Sequence, residues 1–240
     1  MFFKKKPVTF RFVTSNKSAF AYTKPDKATK FFPKWWKDLA KGQRERDSLD
    51  MTHCHGFLDL YKRSIIVPMW SYLTVKVGEI GTEFYEWQYA DGKSELQIHA
   101  EEQRGSFLPA KEHQHVKLIS PWLMECDEEV AVSWQPVAYA DIQTKASVLP
   151  AVVIPKQMSI VNINMMLPRE NEPTVYAFDA GQPLVQLVPL TEREIKIEHL
   201  YVSHENFEER QPPVFFSKVA RHTKGLKLMN EQSKCPFGGK

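Results

Sequence analysis

Two histidine pairs, His53-x-His55 and His113-x-His115, are the residues whose type and spacing come nearest to chemistry. On an extended strand, residues two apart project from one face, so each pair could offer two imidazoles to a shared ion. Asp59, Glu112 or Glu125 could add a carboxylate, as in cupin and iron-oxygenase sites. The spacing to a further ligand fits neither pattern. No His-x-Asp follows His55, and no Gly-rich strand leads to a later His. The pairs are expected to be structural or solvent-facing, with no metal and no cofactor bound. Ser120-Pro121-Trp122 is no better as a nucleophile, because a residue before proline is held extended and suits the start of a strand. No nucleophile elbow, phosphate loop, dinucleotide fingerprint or zinc-finger spacing occurs. Cys54, Cys126 and Cys235 are odd in number and form no CxxC, which argues for a reducing compartment. Cys54 and Cys126 read as small buried hydrophobes and Cys235 as a stray thiol in the tail.

The elements that would have to position such groups read mainly as strands. Apolar alternation and turn residues predict them at Phe57 to Pro68, Tyr72 to Val77, Phe84 to Tyr89 and Glu95 to His99. Asp91-Gly92 between the last two predicts a hairpin. Further strands are predicted at Val116 to Ile119, Trp122 to Cys126, Glu129 to Pro136, Val148 to Val153 and Ser159 to Leu167. Thr174 to Phe178, Leu184 to Leu190 and Ile195 to Val202 complete the set, with a tight turn at Gly181 to Pro183. Short strands without intervening helical periods predict a mainly β fold, an antiparallel β-sandwich or jelly-roll-like domain with short peripheral helices. Trp122, Trp134, Val185 and Leu187 are expected in one core.

Two segments depart from this pattern. Lys24, Lys27, Lys30, Lys34, Lys37 and Lys41 recur at helical spacing, and Phe31, Phe32, Trp35, Trp36 and Leu39 give an apolar side. Pro25 opens one predicted short helix, through about Phe32. Pro33 opens a second, from Lys34 to Lys41, stopped by Gly42. Either the aromatics dock these helices on the sheet and the lysines are solvated, or the segment is an aromatic and basic contact surface. Residues 1–203 read as a single β-rich domain and 204–240 as a basic, helical and mobile tail. Within that tail Val214 to Leu228 reads as an amphipathic helix with Phe215, Phe216 and Val219 inward and Arg221 among its cations.

The whole chain has 240 residues, 42% hydrophobic and 12% aromatic, with 16 prolines against 10 glycines, which suits a core of many short elements. Its net charge of +3 excludes nothing. No run approaches the roughly 20 apolar residues of a membrane helix. The start, Met1-Phe2-Phe3-Lys4-Lys5-Lys6-Pro7, has no h-region after it, so no export signal and no secretion are expected.

Several landmarks in order carry a resemblance: Phe32-Pro33-Lys34-Trp35-Trp36-Lys37, Thr52 to Leu60, Lys117-Leu118-Ile119-Ser120-Pro121-Trp122, Val148 to Val153, and Gly181 to Leu190. From about Phe31 to Glu198 the chain resembles a family from tailed bacteriophages, cyanophages prominently, to which no activity is assigned. The Leu-Pro-x-Val-Val piece and Gly181 to Leu187 also look like the end of a dUTPase or dCTP-deaminase-type β fold. There a Gly-hydrophobic-Asp turn holds the nucleotide. Here Ala151 stands for the Gly, and Ile154-Pro155-Lys156 replaces the acidic turn, so the carboxylate that would orient water is missing. The phage resemblance implies a setting, and with no persuasive catalytic grouping the expectation is a non-catalytic bacteriophage protein that acts by protein binding, in the host cytoplasm during infection or in the virion. Its expected partner is a phage or host protein or a second copy of the chain, with nucleic acid disfavoured and no membrane. The candidate contact residues are Lys34, Trp35, Trp36, Lys37, Phe215, Phe216 and Arg221. The alternative is a small-molecule enzyme, nucleotide- or metal-dependent, on a jelly-roll or dUTPase-like fold.

Overall fold

A computed structural model describes residues 5–42, 50–82, 84–98, 112–140, 146–156 and 159–211. Phe215, Phe216, Arg221 and the helix expected at Val214 to Leu228 lie outside the described residues.

The protein is mainly β, a sandwich-like arrangement of several antiparallel sheets with a few short helices at its rim. Strand β1 (Val8–Thr14) alternates Val8, Phe10 and Phe12 inward with Thr9 and Arg11 outward. It pairs antiparallel with β8 (Leu123–Cys126) and parallel with β15 (Ile195–Tyr201). On the outer face Arg11 meets Glu125 at 3.5 Å and Glu198 at 3.6 Å, its cross-strand neighbours on either side. A four-stranded sheet runs β10 (Ser147–Val148), β12 (Ile163–Pro168), β7 (His113–Ile119), β6 (Glu95–Ile98). A five-stranded sheet runs β11 (Ala151–Val153), β9 (Val132–Gln135), β14 (Pro183–Pro189), β3 (Ile65–Pro68), β2 (Asp26–Lys27). The last comprises β13 (Thr174–Phe178), β4 (Leu73–Val77) and β5 (Tyr85–Tyr89).

The inner faces of all four sheets supply one apolar core, and Trp122, Trp134, Val185 and Leu187 all lie in it, as the sequence indicates. Burying a side chain of this size stabilises by about 1.5–3 kcal/mol, so the shared interior holds the sheets together more than any surface ion pair.

The structure corrects several sequence expectations. Val148 to Val153 is split, Ser147–Val148 pairing in the four-stranded sheet and Ala151–Val153 in the five-stranded one. Phe57 to Pro68 is not one strand. Helix α3 (His55–Lys62) buries Phe57 and Tyr61, one turn apart, and only Ile65–Pro68 is extended, with all four residues buried. One apolar run thus held two periods. The predicted hairpin around Asp91-Gly92 is also absent, because β5 pairs with β4 while β6 pairs with β7. The turn itself forms. The Asp91 carboxylate accepts from Lys93 N at 3.1 Å, Ser94 N at 3.0 Å and Ser94 Oγ at 2.6 Å, and Trp70 Nε1 donates to Ser94 Oγ at 3.1 Å. These bonds carry the chain round a corner into another sheet. Finally, the helix expected from Pro25 to Phe32 is a single 3-10 turn, Ala28–Phe31, preceded by β2.

Pro33 and Gly42 do bracket a helix, α2 (Lys34–Gly42). Helix α1 (Lys17–Tyr22) is capped by the Asn16 side chain, which accepts from Ala19 N. Helix α4 (His204–Arg210), at the start of the expected tail, packs on the domain. Its Phe207 is buried with Val13 and Leu123, and Arg210 Nη1 donates to Glu125 Oε1 at 2.7 Å. Among the described residues no helix is long and apolar enough to cross a membrane.

Arg169, just past β12, is buried and ties two sheets together. Its Nη1 donates to the Gly78 and Phe84 carbonyls at 3.2 Å each, and Nη2 donates to Gln114 Oε1 at 2.6 Å. Gly78 has no room for a side chain, since a Cβ there would meet Thr82 Oγ1 at 2.1 Å and Phe84 Cβ at 3.0 Å. Gly78→Ala is expected to lower stability by about 1–3 kcal/mol through overpacking. A thermal melt unchanged from the parent would show that the loop after β4 yields freely.

Candidate functional site, an aromatic and basic cleft beside α2

The cleft begins with a stack of rings. Phe32 lies parallel to Trp36 at 4.1 Å between centroids and to Tyr61 at 4.9 Å, so both its faces are covered. Phe57 and Tyr61 project from α3 on successive turns, their rings 4.6 Å apart, and Phe57 touches Trp35, Trp36 and Tyr139. The cluster is closed by Ala28 and Ile66. Helix α2 buries no residue completely. It is held by the inner edges of Trp35 and Trp36, which leaves its lysines in water.

Across from α2 runs the loop after β9, residues 136–140, and it is fixed at several points. Tyr61 Oη donates to Ala138 O at 2.7 Å, Ala138 N donates to Gln186 Oε1 at 2.9 Å, and Trp35 Nε1 donates to Tyr139 O at 2.9 Å. Gln186 is fully buried in β14, where its Nε2 also donates to Ser64 Oγ at 2.7 Å. Ser64 in turn donates to Leu60 O at 2.6 Å. These bonds hold Tyr139 at a φ of 57°, the only non-glycine residue with positive φ among the described residues. A left-handed conformation costs an L-residue roughly 1–2 kcal/mol. Strain of this kind persists only where the surroundings over-determine it, and such places cluster at functional sites. The strained residue is half exposed.

The stretch Gly181 to Leu190 supplies the opposite wall and the support beneath it. Gly181, at a φ of 84°, makes the expected tight turn. Gln182 N donates to Asp179 O at 3.0 Å, and Gln182 Oε1 accepts from Asp179 N at 3.1 Å. Between this turn, the 137–140 loop and α2 lies a cleft of about 400 Å³. Lys30, Lys34 and Lys37 line it together with Asp179 and Gln182, and Phe31, Pro33, Val137 and Pro183 give its apolar surface. Lys30 is paired with Asp26 at 2.5 Å and Lys34 with Asp38, each pair four residues apart. The hydrogen bond from Lys34, with the charges of Lys34 and Lys41 nearby, holds the Asp38 carboxyl below its ordinary value.

The protein matches no family model, no curated protein and no solved structure.

Of the residues singled out in the sequence, Lys34 and Lys37 stand on the rim of this cleft, Trp36 turns inward onto Phe32, and Trp35 props the Tyr139 loop. Tyr139, Asp179, Gln182 and Gln186 were missed. Gln186 left a signal, a polar side chain amid a run of apolar positions. Tyr139 left none, because nothing in Pro136 to Ala140 marks a left-handed residue.

The other candidates are placed elsewhere. His53 ends a 3-10 turn and His55 begins α3, so they do not share a strand face. His113 and His115 do share one face of β7, where His115 Nε2 lies 3.3 Å from Asn164 Oδ1. Among the described residues no group of three or more His, Cys, Asp or Glu side chains could hold a metal ion. Ser120 Oγ accepts from Trp122 N at 3.1 Å, fixing the turn into β8. Burial pushes the Cys126 thiol up from its ordinary value, which keeps it protonated and a poor nucleophile near neutral pH. Other hollows lie among the described residues. An open groove of about 920 Å³ runs between α4 and the 91–95 corner, lined mostly by polar side chains. A basic one of about 440 Å³ contains Arg193, already engaged by Glu128 and by the carbonyls of Lys6 and Pro7.

Proposed function

We propose that this protein is non-catalytic and works by binding another protein through the face formed by α2 and the Tyr139 loop. The observation that carries the reading is the fixing of Tyr139. Three hydrogen bonds from separate elements stabilise a strained backbone whose effect is to present an aromatic ring to solvent beside Trp35. A residue kept only for stability gains nothing from such strain, whereas a rigid Tyr with Trp beside it is the composition of an interface anchor. The catalytic alternative finds little support. His53 and His55 share no strand face, Cys126 is buried, and Ser120 accepts from the backbone. The setting we favour is a tailed-bacteriophage infection, with a phage or host protein as partner. It rests on the resemblance carried by the ordered landmarks from Phe31 to Glu198.

Tyr139→Gly separates function from stability. Glycine adopts a φ near 57° without strain, and the ring it removes touches Phe57 but is half exposed. Gain and loss are each about 1 kcal/mol, so the variant should melt within about 3 °C of the parent. Capture of the partner from infected cells should drop about tenfold or more, the effect of losing one interface anchor. Equal capture by both proteins would refute the reading.

A further inference from the structure

We infer that the cleft beside α2 receives an acidic peptide segment of the partner, anchored by an apolar side chain. The inference rests on the protein-binding reading above and adds the chemistry of what is bound.

Charge is the first ground. Between Lys24 and Lys41 there are six lysines and only two aspartates, a surplus that exceeds the +3 of the entire chain. Lys30, Lys34 and Lys37 from this segment turn toward the cleft. The Asp26 and Asp38 pairs of the first two are exposed, and such pairs contribute little, so an incoming carboxylate can replace them. Lys37 is exposed and enters no ion pair among the described residues.

Shape is the second. About 400 Å³ lined by Phe31, Pro33, Val137 and Pro183 admits one or two apolar side chains. Asp179 and Gln182, from the turn before β14, line it too, so the cleft offers a carboxylate and an amide as well as its lysines. A peptide suits both, because it carries carboxylates and backbone N–H groups.

The same features disfavour a nucleic acid strand. Its phosphates would be repelled at Asp179. Single-strand binders also need ring faces on which bases stack, and here Phe32 is covered on both faces by Trp36 and Tyr61. The faces of Phe32 are therefore not open to a base.

The test uses the full chain and two fluorescein-labelled probes, an acidic Glu/Asp peptide with two central leucines and an oligothymidylate of similar length. Anisotropy should show saturable binding of the peptide that weakens as salt is raised. The double variant Lys34→Glu/Lys37→Glu, both sites exposed and its folding checked by its melt, should bind the peptide about tenfold more weakly. Asp179→Asn should bind it as well as the parent or better. Tighter binding of the oligothymidylate, or no peptide binding, or peptide binding indifferent to the lysine reversals, would overturn the inference. If in that case partner capture still depends on Tyr139, the protein-binding reading survives and only the acidic chemistry is wrong. Capture indifferent to Tyr139→Gly removes both.

Discussion

Trp122→Ala is expected to lose about 3–5 kcal/mol of stability, the cost of truncating a large aromatic side chain in a packed core. Trp122 is fully buried in the common core, with its ring edge-on to Phe12 at 6.5 Å and to His199 at 6.2 Å. It therefore joins β8 to both β1 and β15. Its indole Nε1 is buried without a hydrogen-bond partner among the described residues, a cost the alanine variant no longer bears. That relief moves the expected loss toward 3 rather than 5 kcal/mol. Urea unfolding measures it. A lower midpoint with an unchanged slope is the predicted outcome. A midpoint equal to the parent's would mean that Trp122 is not part of the core.

Gln186→Leu is expected to cost about 2–4 kcal/mol and to release the Tyr139 loop. Leucine fills similar space but cannot accept from Ala138 N or donate to Ser64 Oγ. Each buried group left without a partner costs roughly 1–3 kcal/mol. The consequence reaches the surface, because Ala138 precedes the residue whose left-handed backbone that bond helps to hold. Without it the loop can relax Tyr139 to an ordinary φ and open the wall of the cleft. Hydrogen exchange at the Ala138 amide reports this directly, with fast exchange expected in the variant. An Ala138 amide as protected as in the parent would mean that Gln186 is not what fixes the loop.

Elements governed by local pattern were legible in the sequence. Ile195–Tyr201 is a strand where apolar and polar residues largely alternate, Thr174–Phe178 and Pro183–Pro189 are apolar runs entered from turn residues, and Pro33 and Gly42 mark the ends of α2. What failed depended on choosing between periods or partners. Phe57, Leu58, Leu60 and Tyr61 suit a strand or a helix, and the Phe57–Tyr61 spacing decided for the helix once Ile66 lay beneath it. Val8–Thr14 begins with clean alternation, but its parallel pairing with β15 joins residues far apart in the chain, which no local pattern encodes. The cleft was half legible. Its lysines and aromatics stand out by spacing. The loop facing them is fixed by Gln186, 48 residues away, and by Trp35, 104 residues away.

Another exposed aromatic patch on the described surface provides the control for the central claim. Tyr85 and Trp87 lie on β5, at the edge of its sheet, and are 42% and 39% exposed. The most direct measurement replaces one residue at a time with a photo-crosslinking phenylalanine analogue, at Tyr139 or at Trp87, and irradiates infected cells expressing the protein. Binding through the α2 face predicts a discrete crosslinked partner from position 139 and none from position 87. Crosslinking from position 87 alone would contradict the account and move the interface to the edge of β5.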